Sequence, residues 1–342
     1  MKKKSIRMTV ILFLTFGFLY FFFRSVEWKE VFRYLTDVNI TFFILIICIT
    51  PLHLITRSIR WTYLLKHEKK GVKFYNRFSA NAVGFTINYI FPGRLGELAK
   101  PLYLAQKEGM KKGFVLGTQV VERIFDIFTM CFLLGLFLIS KPLYSSYFNT
   151  EGEVYSNLYL WGIVGIALVV VLLILCISLY FFKEKTLSIV AFILKPLSKN
   201  ISQKILNLAE EFIKGLKFFH SFGNFLMYLF LSFVVWLTII FYYWIFLFAY
   251  NIKMPYFFLF PYVFLTMVGA SIPTPGMVGG YHYFCKLGLT SFYNIDANLA
   301  VGMTIVIHAI QLIVTCAIGY VILWREGISL FKLEKMSKEA EQ

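Results

Sequence analysis

The sequence predicts an all-α polytopic membrane protein, built as a helical bundle with an inverted-repeat-like arrangement. Of its 342 residues, 59% are hydrophobic and 15% are charged, so its apolar surface exceeds what one soluble core could bury. Uncharged runs such as Leu158–Phe182 and Phe225–Ile252 exceed the roughly 20 residues that a helix needs to cross about 30 Å of hydrocarbon. We therefore expect residues 1–324 to form a single integral membrane domain, followed by a cytoplasmic tail at 325–342.

The basic residues indicate which side of the membrane each hydrophilic segment faces. The formal net charge is +16, from 34 lysines and arginines against 18 acidic residues. Segments rich in lysine and arginine alternate with segments that hold few of them, which is the positive-inside pattern, so both termini are predicted to be cytoplasmic. Basic residues spread over membrane-flanking loops also argue against nucleic-acid binding. The predicted cytoplasmic segments are 1–7, 66–77, 107–112, 183–217 and 325–342, and the predicted outer segments are 24–37, 141–157, 251–255 and 286–296.

The apolar runs of the first half then cross the membrane in a defined order. Residues 8–23 follow a basic N-terminus and lack a small-residue cleavage site, so they are predicted to be a retained signal anchor that runs outward. The amphipathic stretch 25–39 is expected on the outer surface, and residues 40–63 return as one helix. Residues 113–140 run outward, and residues 158–182 run inward.

The second half begins with a segment that is predicted not to cross the membrane. Residues 183–220 carry apolar side chains at helical spacing, so they are predicted to form a cytoplasmic amphipathic segment on the inner leaflet. Residues 223–250 then run outward, and residues 297–324 return the chain to the cytoplasm.

Two apolar segments do not fit a single crossing. Residues 78–106 have cytoplasmic lysines on both sides, and residues 256–293 have outer loops on both sides, so each is predicted to be a re-entrant element. Pro and Gly interrupt both, and they expose backbone groups that are tolerated at membrane depth only beside protein or a water-filled cavity. Breaks at matching places in two inverted halves are typical of a transporter binding site, and kinked packing helices are the alternative. The predicted gating residues are Asn88, Pro92, Gly93 and Gly96 in the first element, and Pro273, Pro275, Gly276, Gly279 and His282 in the second.

Ionisable side chains inside the apolar runs mark the candidate binding residues. Each costs roughly 2.5–3.5 kcal/mol at the bilayer centre on insertion scales. Glu122 and Asp126 share one helix face near the predicted midplane, so Arg123 can satisfy at most one of them, and another cation must come from Arg57, Arg94 or Lys100. Arg60, nearer the cytoplasmic end of its helix, could instead extend to the headgroups. The predicted headgroup-binding residues are Arg57, Arg60, Arg94, Glu97, Lys100, Glu122, Arg123 and Asp126.

The break before Arg94 predicts an anion site. A helix that restarts after Pro92 and Gly93 would direct its free N-terminal amides, and the positive end of its dipole, toward a cavity, with Arg94 in its first turn. That combination attracts a phosphate group. A buried ion network that only holds helices together is the alternative for all of these charges.

Four stretches of the chain carry a family resemblance: Arg57–Trp61, Asn88–Glu97, Val121–Asp126 and Pro273–Gly276. In sequence, order and spacing they resemble the lysylphosphatidylglycerol synthase transmembrane region family. The resemblance implies a flippase-like membrane domain over nearly the whole chain. Some members continue into a soluble aminoacyl-transferase domain, which is not expected here, so synthase activity is not expected either. The chain departs from the family pattern at Met277, and at His282, where an acidic residue would be expected, so the outer element matches less well than the inner one.

The function expected from these features is that of a lipid translocator, which moves an anionic phospholipid or a lipid-linked phosphate between the leaflets of the cell membrane. The alternatives are a membrane-embedded enzyme that uses Glu97, Glu122 or Asp126 as general acid or base, and a non-catalytic partner of a lipid-modifying enzyme. The sequence has no catalytic or cofactor motif, and its five cysteines lack the spacing of a metal site. The expected partners are therefore membrane lipids, with the oligomeric state left open.

Overall fold

The computed structural model is helical throughout the part of the chain that it describes, and no strand occurs there. Most of the predicted crossing 158–182, most of the predicted amphipathic segment 183–220 and the tail after residue 329 lie outside that part. The described residues are 2–24, 26–36, 38–140, 156–157, 159–160, 162–167, 170–171, 174, 182–193, 202–203, 206, 210 and 222–329.

The described residues form twelve α-helices, which confirms the predicted all-α class. Short 3₁₀ turns at Tyr256–Phe258 and Pro275–Met277 accompany them. The helices are α1 (Lys2–Phe23), α2 (Trp28–Thr36), α3 (Ile40–Ile49), α4 (Leu52–Leu65), α5 (Phe74–Ile90), α6 (Gly96–Glu108), α7 (Lys112–Ile139), α8 (Lys183–Ile193), α9 (Phe222–Ala249), α10 (Leu259–Ser271), α11 (Gly280–Tyr293) and α12 (Ala297–Arg325).

Three helical stretches have the length and apolar composition of membrane spans: Ile40–Leu65, α9 and α12. Helix α7 has 28 residues, or about 42 Å at 1.5 Å per residue, so it is also long enough, but it carries Glu122, Arg123 and Asp126. The chain is therefore a multi-pass α-helical membrane protein. The cytoplasmic location of its termini remains a prediction from the charge pattern.

The helix predicted over residues 40–63 is one span with a break in it. Helix α3 ends at Ile49 and α4 begins at Leu52, with Thr50 and Pro51 between them. Pro51 has no N–H to continue the helical ladder, which explains the break. The Thr50 hydroxyl donates to the Ile46 carbonyl at 2.7 Å and takes part in ending α3.

Each of the two segments predicted to be re-entrant forms a helical hairpin. The first consists of α5 and α6, and the second consists of α10 and α11. Helices α6 and α10 have 13 residues each, or about 20 Å, which is less than the roughly 30 Å that a full crossing requires. How each hairpin enters the membrane remains a prediction.

Glycines allow the two helices of each hairpin to approach closely. A Cβ atom on Gly96 would lie 1.8 Å from the Gly84 carbonyl oxygen, and one on Gly269 would lie 2.7 Å from the Gly280 carbonyl oxygen. Two helices can come this close only where neither backbone carries a side chain at the contact. The hairpins therefore share one packing pattern.

The tips of the two hairpins meet inside the molecule. The first tip comprises residues 91–95, and the second comprises residues 272–279. The guanidinium of Arg94 donates at 3.1 Å to the carbonyl of Ala270, the penultimate residue of α10. Gly276 of the second tip lies so close to α5 that a Cβ there would be 3.0 Å from the Tyr89 carbonyl oxygen. The contact between these tips positions the site described next.

Candidate functional site

Asp126 of α7 accepts hydrogen bonds from three side chains on two other helices, α4 and α9. Its Oδ1 accepts from Arg60 Nη1 at 2.7 Å and from the indole N–H of Trp236 at 3.1 Å, and its Oδ2 accepts from Arg57 Nη1 at 3.1 Å. Arg57 and Arg60 fall on one face of α4 because they are three residues apart. Hydrogen bonds from charged donors are the strongest available to a buried carboxylate, so Asp126 anchors α4, α7 and α9 to one another.

Glu122 lies one turn before Asp126 and is fully buried. Its Oε1 is 3.3 Å from Arg60 Nη2, and its Oε2 accepts from the ammonium group of Lys100. The Lys100 ammonium also lies over the Trp61 ring, 4.3 Å from its centroid. The prediction that a cation from elsewhere must reach this face of α7 is confirmed. Arg57, Arg60 and Lys100 all pair with Glu122 or Asp126.

Glu97 and Arg123 connect the first hairpin tip to α7. Glu97 Oε1 accepts from Arg94 Nη2 at 2.8 Å, and Glu97 Oε2 accepts from the Gln119 amide at 2.6 Å. Arg123 bridges the two acidic residues that it faces, with Nε 3.5 Å from Glu97 and Nη1 3.4 Å from Asp126. The eight predicted headgroup-binding residues therefore form one connected ion network.

The network has more positive than negative charge. Among the residues that the structure describes, it joins five cations to three carboxylates, an excess of two positive charges. A cavity of about 690 Å³ lies beside it. The network residues that line the cavity are Arg57, Arg94, Glu97, Arg123 and Asp126, whereas Arg60, Lys100 and Glu122 lie behind them.

The predicted anion site at the start of α6 is wrong in one respect, because the amides are not free. The Gly96 N–H donates to the side-chain oxygen of Asn88 at 2.8 Å, and the Glu97 N–H donates to the Arg94 carbonyl at 3.0 Å. Arg94 itself precedes the helix, with a positive φ of 57°. Arg94 lines the cavity together with Glu97 and Leu98 of the first turn of α6.

Most of the predicted gating residues occupy the two hairpin tips, whereas Asn88 lies in α5, Gly96 begins α6 and His282 lies in α11. Pro92 and Gly93 lie in the first tip, where Gly93 has a positive φ of 83°. In the second tip, Gly276 and Gly279 also have positive φ values, of 60° and 95°, which glycine adopts without strain. Pro273 and Pro275 flank Thr274 in the same tip.

His282 lies beside the cavity but is not among the residues that line it. Its ring packs against Phe22 of α1 at 5.1 Å and against His308 of α12 at 4.6 Å between centroids. His308 does line the cavity. His282 therefore supports the wall from behind, at the point where the sequence departs from the family pattern.

Several uncharged residues in or beside the cavity were not among the predicted site residues. Trp236 of α9 lines the cavity and donates to Asp126, and Ser232 of the same helix, which is not a lining residue, accepts from Arg60. Neither stands out from the other residues of an apolar helix. The far half of the cavity is lined by aromatic and amide side chains. In the sequence these residues are spread over α9, α11 and α12 at spacings that a packed helix face also shows, so they do not indicate a site. These residues are Tyr242, Tyr243, Tyr281, His308 and Gln311.

Comparison with known proteins agrees with the resemblance seen in the motifs. Residues 8–319 match the model of the lysylphosphatidylglycerol synthase TM region family. The UPF0104 membrane protein MJ1595 of Methanocaldococcus jannaschii is 28% identical over 230 residues, which make up 64% of this chain and 64% of that protein. No solved structure matches the chain. Because the family match covers most of its length, the chain belongs to the lysylphosphatidylglycerol synthase transmembrane region family.

Proposed function

We propose that the protein is a lipid translocator, which moves an anionic phospholipid or a lipid-linked phosphate between membrane leaflets. The observation that carries the proposal is the excess of two positive charges beside a cavity at the meeting point of two hairpin tips. Uncompensated cations at membrane depth are costly, and a phosphate headgroup would supply the negative charge that the network lacks. Arg57, Arg94 and Arg123 present guanidinium groups to that cavity, and guanidinium matches phosphate geometry.

The contact between the tips offers a route for exchange. It includes the hydrogen bond from Arg94 to the Ala270 carbonyl and the close approach of Gly276 to Tyr89. Neither of these two contacts joins large apolar side chains. Breaking them therefore does not by itself expose packed apolar surface. Separation on one side at a time would give a headgroup access to each leaflet in turn, as in transporters with broken helices.

The three carboxylates favour translocation over catalysis. Glu97, Glu122 and Asp126 each accept from at least two cationic or N–H donors. A general base needs a lone pair directed at the proton that it removes. Carboxylates held in this way act as counterions for the arginines and lysine. The proposed location is the cell membrane, and a separate lipid-modifying enzyme is the proposed source of the substrate.

Arg123 offers a direct test because it is the most exposed cation of the network. Its side chain is 34% exposed, against 26% for Arg94 and 5% for Arg57. Removing it leaves Asp126 with Arg57 and Arg60, so the fold should survive. We expect wild-type protein in proteoliposomes to exchange a labelled anionic lipid faster than a zwitterionic one. Arg123→Gln should slow the anionic exchange about ten- to a hundredfold, since a charge-assisted hydrogen bond is worth about 1.5–3 kcal/mol.

The control is Lys112→Gln, which removes an exposed cation at the start of α7 away from the network. It should exchange both lipids like the wild type. Equal exchange of the two lipids by all three proteins would contradict the proposal. Mass spectrometry of the recovered lipids separates the alternatives, because an enzyme would change their chemistry and a translocator would not.

A further inference from the structure

The end of the cavity away from the ion network is uncharged and rich in hydroxyl groups. The hydroxyl of Tyr243 on α9 lies 2.9 Å from that of Tyr281 on α11, and the Gln311 amide of α12 donates to the Tyr243 hydroxyl at 3.3 Å. Tyr242 and His308 line the same end and are buried. Three helices of the described chain, α9, α11 and α12, therefore bring neutral hydrogen-bonding groups together in one wall.

This hydroxyl end and the cationic end belong to a single cavity. Helix α9 lines both, through Trp236, which contacts Asp126, and through Tyr243, which is seven residues further along. Seven residues at 1.5 Å per residue correspond to about 10 Å along the helix axis. A phosphate bound by the arginines would therefore have the neutral end within reach of the rest of its headgroup.

The chemistry of the two ends selects among headgroups. Tyrosine hydroxyls both donate and accept hydrogen bonds, and the glutamine amide does both as well, so they suit hydroxyl groups of a ligand. A cationic headgroup would need a free carboxylate, but Glu97 and Asp126, the carboxylates that line the cavity, are already held by cations. The excess positive charge of the network also repels an ammonium group.

The Tyr243 ring at this end of the cavity is packed against other aromatic rings. The Tyr243 ring packs edge to face against Tyr242, with centroids 5.6 Å apart, and against Tyr262, with centroids 5.4 Å apart. Cation–π binding requires an accessible ring face, and the two neighbouring rings reduce access to the Tyr243 ring. Its hydroxyl, which meets Tyr281 and Gln311, is the part that is presented to the cavity.

We infer that the cavity recognises an anionic lipid whose headgroup carries hydroxyl groups beyond its phosphate, a glycerol or another polyol, and that it discriminates against a headgroup with an ammonium. This inference rests on the proposed function, because it assigns the substrate class of the same cavity. Arg57, Arg94 and Arg123 bind the phosphate, and the Tyr243, Tyr281 and Gln311 group binds the hydroxyls.

The test compares lipids with the same single negative charge. Purified protein is equilibrated with vesicles that contain equal amounts of phosphatidylglycerol, phosphatidylinositol and phosphatidylserine, and the bound lipid is identified by mass spectrometry. Wild-type protein should enrich the two polyol lipids over phosphatidylserine. Tyr243→Phe and Tyr281→Phe should each lower that enrichment about two- to tenfold, which is the value of one neutral hydrogen bond. The ratio of phosphatidylglycerol to phosphatidylinositol distinguishes glycerol from a ring polyol.

The control is Tyr256→Phe, which removes a hydroxyl that donates to the Leu237 carbonyl and does not line the cavity. It should keep the wild-type enrichment. Equal binding of the three lipids by the wild type, preference for phosphatidylserine, or unchanged enrichment in both tyrosine variants would overturn the inference. Leaflet exchange by the same proteins separates it from the proposed function. Enrichment of the polyol lipids without any leaflet exchange would contradict translocation only. Equal exchange of the three anionic lipids, without enrichment of the polyol lipids, would contradict the polyol subsite only.

Discussion

Asp126 shows how single residues maintain charge inside an apolar molecule. A carboxylate taken out of water loses several kcal/mol of solvation, and this loss is recovered only through close ion pairs and hydrogen bonds. Arg57, Arg60 and Trp236 supply these at 2.7–3.1 Å. Arg60 is fully buried, so it does not extend to the headgroups, which was one possibility from its place in the sequence.

The membership of the ion network could be predicted from sequence, but its pairing could not. Charged residues in apolar runs stand out because few are tolerated there. Which cation meets which carboxylate depends on how α4, α6 and α7 pack, and Arg60 and Asp126 are 66 positions apart. The prediction of free amides near Arg94 is wrong because the Gly96 N–H already donates to the side chain of Asn88, one turn before the break.

Glu122 is a residue whose replacement should lower stability strongly. Glu122→Gln keeps the shape of the side chain but leaves Arg60 and Lys100 without their shared carboxylate in a fully buried place. Breaking a buried ion pair by removing one partner costs about 3–5 kcal/mol. We expect a clear fall in the thermal unfolding temperature in detergent.

The control for Glu122→Gln is Lys112→Gln, where the side chain is exposed and a change within about 0.5 kcal/mol is expected. A Glu122→Gln protein that unfolds and exchanges lipid like the wild type would show that the network serves neither stability nor function. Loss of stability with normal exchange in the surviving protein would assign Glu122 to the fold alone.

At the scale of elements, the two hairpins are the features that create the cavity. Their breaks could be predicted because Pro and Gly interrupt otherwise continuous apolar runs. The contact between their tips could not, since it depends on the angle at which two short helices enter the bundle. The close packing of Gly84 against Gly96, and of Gly269 against Gly280, becomes evident only when the helices are seen side by side.

Gly96 provides the element-scale prediction. A methyl group there would meet the Gly84 carbonyl oxygen at 1.8 Å and the Asn88 side chain at 2.6 Å, so α5 and α6 would have to separate. Overpacking of this kind costs about 1–3 kcal/mol. We expect Gly96→Ala to lower the unfolding temperature and to slow lipid exchange, because the Asn88 contact that orders the first tip would be displaced.

Gly17→Ala is the matched control, since no atom lies within 4 Å of the added methyl group. Alanine favours a helix over glycine by up to about 1 kcal/mol, so this variant should be as stable as the wild type or more so. Equal stability of the Gly96→Ala and Gly17→Ala proteins would contradict the close packing of the first hairpin.

At the scale of the whole molecule, the open question is on which side of the membrane each hairpin begins. Apolar length predicted the spans, because the requirement of about 20 residues holds for any transmembrane helix. Sidedness depends on the distribution of lysine and arginine, which predicts that the first hairpin enters from the cytoplasm and the second from outside. Two hairpins of that kind, each too short to cross, would meet near the midplane, where α7 carries its charged residues.

The connection from α4 to α5 and the connection from α11 to α12 should therefore lie on opposite sides. Lys70 and Asn294 are exposed residues of these connections, and each can be replaced by cysteine in a protein whose Cys48 and Cys176 have been changed to serine. An impermeant maleimide should label Asn294→Cys in intact cells and Lys70→Cys only in inside-out vesicles. The parent protein without either new cysteine should remain unlabelled in both preparations. Labelling of both positions from one side would mean that the hairpins enter together, so separating their tips would open the cavity to a single leaflet and translocation by alternate opening would be excluded.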